Sequence, residues 1–228
     1  MKQIWMCFAI IIVIAACKNK KEVKATSTKS HDQLMAEMFG KPKVDIKTVG
    51  VLLYDGYSTL DAMGPYNVLG ELMGAKVFFV GRHKGSIVDS RGMKVLVDSS
   101  IAEVKHVDIL VIPGGFKETY EATRDTTLLN WIRSIDSSSV YTTSVCTGAW
   151  ILGATGLLKD REATTHWWGK KILAEDFGAN VQDKRYTRSG KFWTSAAHAN
   201  QTDHLRPKQI DHLFCWRRFS VHVLSGGS

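Results

Sequence analysis

From residue 48 onward the chain alternates short, nearly continuous apolar runs with longer stretches of helical spacing. Thr48-Val-Gly-Val-Leu-Leu-Tyr54 is the first run, broken by Asp55-Gly56, and residues 75–80, 107–112 and 140–145 repeat the pattern. Unbroken hydrophobicity, rather than strict alternation, marks strands of a parallel sheet covered on both faces. Between the first two runs, Ser58 to Leu69 reads as a loop entering a helix. Pro65 is assigned to that helix's first turn, where a missing N–H is tolerated. Leu128, Leu129, Trp131, Ile132 and Ile135 recur at three- and four-residue spacings, the stripe of a helix laid on a sheet. Residues 149–154 predict another helix, closed by Gly156. Residues 87–97 form a hairpin or two short strands around Arg91-Gly92. A short strand at 163–167, a helix at 168–177, and a turn with a final strand at 186–195 complete the series. Strands alternating with helices predict an α/β fold, a doubly wound and mainly parallel sheet with helices on both faces.

The chain of 228 residues, 44% hydrophobic and 23% charged, has material for one good core. Its formal charge is +8, yet residues 45–196 carry 18 basic and 17 acidic side chains, so the excess lies at the two ends. A near-neutral folded part argues against a duplex-binding surface, and no nucleic-acid partner is expected.

The N-terminus carries its own signal. After Met1-Lys2 comes an apolar run from Ile4 to Ala16. It is shorter than the roughly 20 residues that span a bilayer and suits the core of an export signal. It closes Ile14-Ala15-Ala16-Cys17, which resembles the lipobox of bacterial lipoproteins, where cleavage precedes a lipid-bearing cysteine. A plain secretory signal or a membrane helix is the alternative. The expected division is residues 1–17 as signal, 18–44 as polar linker, 45–196 as folded domain and 197–228 as tail. The expected location is the cell envelope, with the lipid on Cys17 as the membrane contact. Of four cysteines, Cys7 leaves with the signal and Cys17 is acylated. Cys146 and Cys215 remain, so at most one disulfide is possible.

Three candidates for chemistry fall at strand ends, where ligands collect in open α/β sheets. Cys146 ends the fourth run and is followed directly by a helix, the strand–turn–helix geometry of a nucleophile elbow. The helix N-terminus there favours thiolate over thiol. Asp61 follows the first run and can carry a proton to or from the thiol, the substrate or a water. Gly115 and Thr147 can present N–H groups to a developing anion. Taken singly, each has a plainer account: a core cysteine, a helix-capping aspartate, a tight glycine turn. Their joint placement at one sheet edge favours a site.

These residues, in this order, resemble the DJ-1/PfpI superfamily, and within it the isonitrile hydratase-like branch, also found as the amino-terminal module of AraC-type regulators. The matching pieces are Leu60-Asp61-Ala-Met-Gly64-Pro65-Tyr66, Ile112-Pro-Gly-Gly115, Ser144-Val-Cys146-Thr147-Gly148, Gly153-Ala-Thr-Gly156-Leu-Leu and Ala163-Thr-Thr-His166-Trp167. The resemblance spans residues 48–196 and implies a flavodoxin-like sandwich, usually a homodimer, acting on a small-molecule substrate with no metal or organic cofactor. It implies Cys146 as nucleophile, Asp61 as its acid/base partner, and Thr147 with Gly115 as oxyanion and pocket groups. An isonitrile attacked by Cys146 would pass through a thioimidate to an N-substituted formamide. Glyoxalase- or deglycase-like chemistry, and a ligand-binding or redox-sensing module without turnover, are the other functions the same thiol supports.

Departures from the family sharpen this. Thr147 stands where the protease-like branch has histidine, which disfavours a Cys–His peptidase. An AraC-type regulator would continue into a helix-turn-helix domain, whereas this sequence stops at Ser228. His166 either approaches the pocket or serves as a hydrogen-bonded structural histidine. After Ala196 the family's glycine-rich turn and apolar helix give way to Ala197-His-Ala-Asn-Gln-Thr-Asp-His-Leu-Arg-Pro207. This reads as a terminus altered by frameshift or recombination, expected to leave one face of the sheet bare. His198, His204, His212 and Cys215 match no familiar metal spacing.

Overall fold

The computed structural model describes residues 29–30, 33–34, 37, 44–196 and 219. The expected signal at 1–17 with Cys7 and the lipobox Cys17, and the tail histidines with Cys215, lie outside the described residues, as does most of the 18–44 linker. The chain divides into two compact units, Met1–Leu34 and Met35–Ser228. In the first, Ser30 and Gln33 form a reciprocal capping box. The Ser30 N–H donates to Gln33 Oε1 at 2.8 Å and the Gln33 N–H to Ser30 Oγ at 3.2 Å.

The second unit is built on one seven-stranded sheet. Its strands are β1 (Thr48–Leu53), β2 (Lys76–Gly81), β5 (Ser99–Ser100), β6 (Ile109–Ile112), β7 (Tyr141–Val145), β10 (Tyr186–Ser189) and β11 (Phe192–Ser195), in the order β10-β11-β7-β6-β1-β2-β5. All neighbours run parallel except the β10–β11 hairpin at one edge. A separate hairpin pairs β3 (Gly85–Val88) with β4 (Lys94–Val97), which resolves the alternatives left open for residues 87–97. A third small sheet pairs β8 (Glu162–Ala163) with β9 (Asn180–Val181).

The continuous apolar runs feed two cores. Val49, Val51 and Leu53 of β1, with Ile109 and Val111 of β6, face one cluster, while Leu52, Leu110 and Ile112 face the other. The second face is covered by α3 (Thr126–Ser138) and α4 (Gly148–Ala154), with Leu173 of α5 (Lys170–Glu175). Asp125 caps α3, its side chain accepting from the Leu128 N–H at 3.1 Å. The first face is covered by residues of α1 (Thr59–Leu69), among them Ala62 and Leu69, and by Ile87 and Val97 of the β3–β4 hairpin.

Several expectations are corrected. Pro65 lies in the interior of α1, not its first turn, because the helix begins at Thr59. Without an N–H, Pro65 cannot donate to the Asp61 carbonyl one turn earlier. The strand expected at 163–167 stops at Ala163. Thr164 and Thr165 spend their polar groups elsewhere: the Thr164 N–H donates to Thr194 Oγ1 and the Thr165 hydroxyl to the Cys146 carbonyl. The helix expected at 168–177 is a 3-10 turn (Trp167–Gly169) followed by α5. The final strand is a hairpin of two. Helix α2 (Lys117–Ala122) and strand β5 were not legible as elements in the sequence.

The tail also departs from expectation at one point. Phe219 is buried against Tyr141 and Trp193, with ring centroids 5.3 and 5.1 Å apart in edge-on geometry. One aromatic side chain thus covers part of the face expected to be bare. Replacing it with alanine (Phe219→Ala) should cost about 3 kcal/mol of stability. Urea denaturation would check this, and an unchanged midpoint would contradict the packing.

Candidate active site

The strand order reverses between β1 and β6, and the segments following these two strands carry Asp61, in the first turn of α1, and Gly114-Gly115. The neighbouring strand β7 ends at Cys146. This is the topological switch point at which open α/β sheets bind ligands.

Cys146 has φ +56, the left-handed region, uncommon for any residue other than glycine. Such a conformation costs on the order of 1–3 kcal/mol and persists only where the surroundings hold it. Here the Cys146 N–H donates to the Ser195 carbonyl at 2.8 Å, and its own carbonyl accepts from the Thr165 hydroxyl at 2.7 Å. Helix α4 then starts at Gly148. A Cβ at that position would lie 2.2 Å from the Ile112 carbonyl oxygen, so only glycine lets the elbow close onto β6. Gly114 is constrained in the same way, since a Cβ there would meet the Thr147 nitrogen at 2.7 Å and Cys146 Cβ at 2.8 Å.

Asp61 is the third residue of α1 and is 2% exposed; Ser58, not Asp61, holds the capping position. Its carboxylate accepts from the Cys146 thiol, the Gly114 N–H and the Ser58 hydroxyl. Burial outweighs these donors and pushes its pKa up to about 7. Cys146 is buried and free of any disulfide. Burial first, and the Asp61 charge second, raise the thiol well above its ordinary range, against the downward pull of a hydrogen bond from the Thr147 N–H. This corrects the expected resting thiolate. The seven-residue helix α4 cannot offset desolvation and a carboxylate neighbour, so the thiol keeps its proton and donates it to Asp61.

Thr147 and Gly115 come together, but not as two free donors. The Gly115 N–H donates to Thr147 Oγ1 at 3.0 Å, and the Thr147 hydroxyl donates to the Gly115 carbonyl at 2.9 Å. The pair locks the β6 loop to the elbow, leaving the Thr147 N–H directed at the sulfur. The expected oxyanion role of the Gly115 N–H is therefore not available in this arrangement.

A cavity of about 460 Å³ opens over the thiol. Ser58, Thr59, Ser90 and Arg91 are among its polar lining residues, and Leu60, Met63, Phe116 and Trp168 are its apolar ones. His166 also lines it, while its carbonyl accepts from the Gly169 N–H, so it contributes to both the pocket and the 3-10 turn. Sequence reasoning missed Ser90, Arg91, Phe116 and Trp168. Arg91 arrives because the β3–β4 hairpin folds back, its turn held by Asp89, which accepts from the Arg91 and Met93 N–H groups. Only the turn chemistry of Ser90-Arg91-Gly92 signalled this. Among the described residues, no group of three or more His, Cys, Asp or Glu is placed to hold a metal.

The model of the DJ-1/PfpI family matches residues 47–206, the whole seven-stranded sheet included. The chain belongs to that family. Isonitrile hydratase of Pseudomonas putida is 34% identical over 146 residues, covering 64% of this chain and 63% of its own length. The chain thus spans less than two thirds of that relative. The HTH-type transcriptional regulator CdhR of Pseudomonas aeruginosa is 34% identical over 93 residues, 41% of this chain and 27% of the regulator. Among solved structures, a ThiJ/PfpI family protein from Pseudomonas syringae superposes with a TM-score of 0.72 at 26% identity, covering 88% of this chain and 77% of its own. Drosophila melanogaster DJ-1beta shares the fold at 20% identity, with a TM-score of 0.66 over 79% of this chain and 91% of that one.

Proposed function

We propose that this DJ-1/PfpI protein is a cysteine-dependent hydratase of small electrophilic carbon compounds, with an isonitrile as the model substrate. The observation that carries the reading is the thiol of Cys146 hydrogen-bonded to a buried carboxylate, Asp61, at the floor of a cavity of substrate size. The likeness to isonitrile hydratase supports the choice of substrate.

The chemistry follows from the pair. As the sulfur attacks the terminal carbon of R–N≡C, its proton passes to Asp61. Asp61 returns that proton to the same carbon, leaving the thioimidate R–N=CH–S–Cys146. A water then adds across the C=N bond, placing hydroxyl on carbon and a proton on nitrogen. Cleavage of the C–S bond, with the hydroxyl proton returned to sulfur, releases R–NH–CHO and the free thiol. The sum is one isonitrile and one water to one formamide. A carboxyl group with its pKa near neutrality can both accept and give the proton.

Turnover requires Asp61 as carboxylate, because the protonated acid cannot take the thiol proton. With an alkyl isonitrile, kcat/KM should therefore rise through an apparent pKa near 7, a value that belongs to the Asp61–Cys146 pair. Formamide formation followed from pH 5 to 9 checks this, and a profile falling across that range would overturn the assignment of roles.

The apolar run ending Ala15-Ala16-Cys17 supports a second part of the proposal, a lipid anchor in the cell envelope. Metabolic labelling with palmitate in a bacterial host should mark the protein and be lost in Cys17→Ser. Label surviving that substitution would contradict the anchor. The family's habit of pairing supports a homodimer.

A further inference from the structure

Phe116 and Trp168 line the cavity over Cys146, and the same two side chains line a second groove of about 320 Å³. Lys117, Tyr120, Trp150 and Ile172 complete that groove. It is built of ring faces and edges. Trp168 meets Trp150 edge-on at 5.1 Å, and Tyr120 meets the same indole edge-on at 6.1 Å. The Trp150 N–H is already committed to the Gly169 carbonyl at 3.0 Å, and the Lys117 ammonium is paired with Glu121 at 3.2 Å. The groove therefore offers its occupant aromatic and aliphatic surface. Phe116 is 62% exposed and Trp168 40% exposed, a large apolar area left at the mouth of a reactive cavity.

We infer that the preferred substrate carries an aromatic N-substituent, which lies in this groove past Phe116 and Trp168 while its reactive carbon faces the Cys146 sulfur. The inference rests on the hydratase reading and names its substrate class. The two shared side chains place the groove next to the reactive cavity, so the occupant is taken to be part of the molecule that reacts. An aromatic group matches the lining because offset and edge-on ring contacts add to the area it buries. The same surface gives a methyl substituent almost nothing.

The test compares benzyl isonitrile with methyl isonitrile. The wild type should show a kcat/KM at least tenfold higher for benzyl isonitrile. Ile172 and Lys117 line the groove but not the cavity over the thiol. Filling the groove with Ile172→Trp should lower the benzyl-to-methyl ratio of kcat/KM at least tenfold. Lys117→Trp, at an exposed position, should do the same and serves if Ile172→Trp does not fold. Methyl isonitrile hydrated as well as benzyl, or a ratio unchanged in the folded variants, would overturn the groove assignment and leave the hydratase reading standing. Hydration of neither compound would overturn both.

Discussion

Cys146→Ala should reduce isonitrile hydration by at least about 10³-fold while leaving the fold in place. The size follows from the step lost: without sulfur no thioimidate forms, and water must attack the isonitrile directly. A factor of 10³ is about 4 kcal/mol of transition-state stabilisation, within what covalent and acid–base catalysis jointly supply. The substitution keeps the elbow's main-chain contacts, since Ser195 and Thr165 bond to the backbone of residue 146. Alanine at φ +56 retains the strain cysteine already bears. Circular dichroism of the variant should match wild type while turnover disappears. Turnover within tenfold of wild type would remove Cys146 from the mechanism.

Asp61→Asn should separate activity from stability. Activity falls by about 10²- to 10⁴-fold, because an amide cannot relay the thiol proton. Stability at pH 8 rises, for the following reason. Burial raises the folded-state pKa of Asp61 to about 7, whereas the unfolded chain keeps an ordinary carboxylate. Between about pH 4 and pH 7 the folded state binds more protons than the unfolded one, so stability falls as pH rises through that window. Holding the charge in the fold at pH 8 costs about 4 kcal/mol by this linkage. Asparagine removes that cost, so the variant's Tm advantage is greatest above pH 7 and vanishes below about pH 4. A variant less stable than wild type at pH 8 would show that the hydrogen bonds to the carboxylate outweigh its desolvation.

Much of this site is legible in the sequence because it lies at strand ends. Four unbroken apolar runs place Asp61, Gly115 and Cys146 at one edge of a parallel sheet, and the structure sets them there. The charge state was not legible: a helix N-terminus after Cys146 suggested a thiolate, but the thiol's burial and the Asp61 carboxylate beneath it are products of three-dimensional packing. Thr147 and Gly115 lie side by side, and their mutual hydrogen bonds consume the donor expected of the glycine. Arg91 and Trp168 escaped notice because they reach the cavity through a folded-back hairpin and a 3-10 turn, neither of which has apolar periodicity. Thr164 and Thr165 resemble strand residues by propensity, but the Thr164 N–H donates to Thr194 Oγ1 on β11 and the Thr165 hydroxyl to the Cys146 carbonyl at the elbow.

The central claim is that isonitrile carbon becomes bonded to Cys146 with Asp61 handling the proton. Intact-protein mass spectrometry of the wild-type protein, acid-quenched during turnover of an alkyl isonitrile, addresses it most directly. The account predicts a mass increase of one isonitrile molecule, mapped by peptide fragmentation to Cys146, formed more slowly in Asp61→Asn and absent in Cys146→Ala. Formamide produced at wild-type rates by Cys146→Ala, with no adduct at any residue of the wild type, would contradict it.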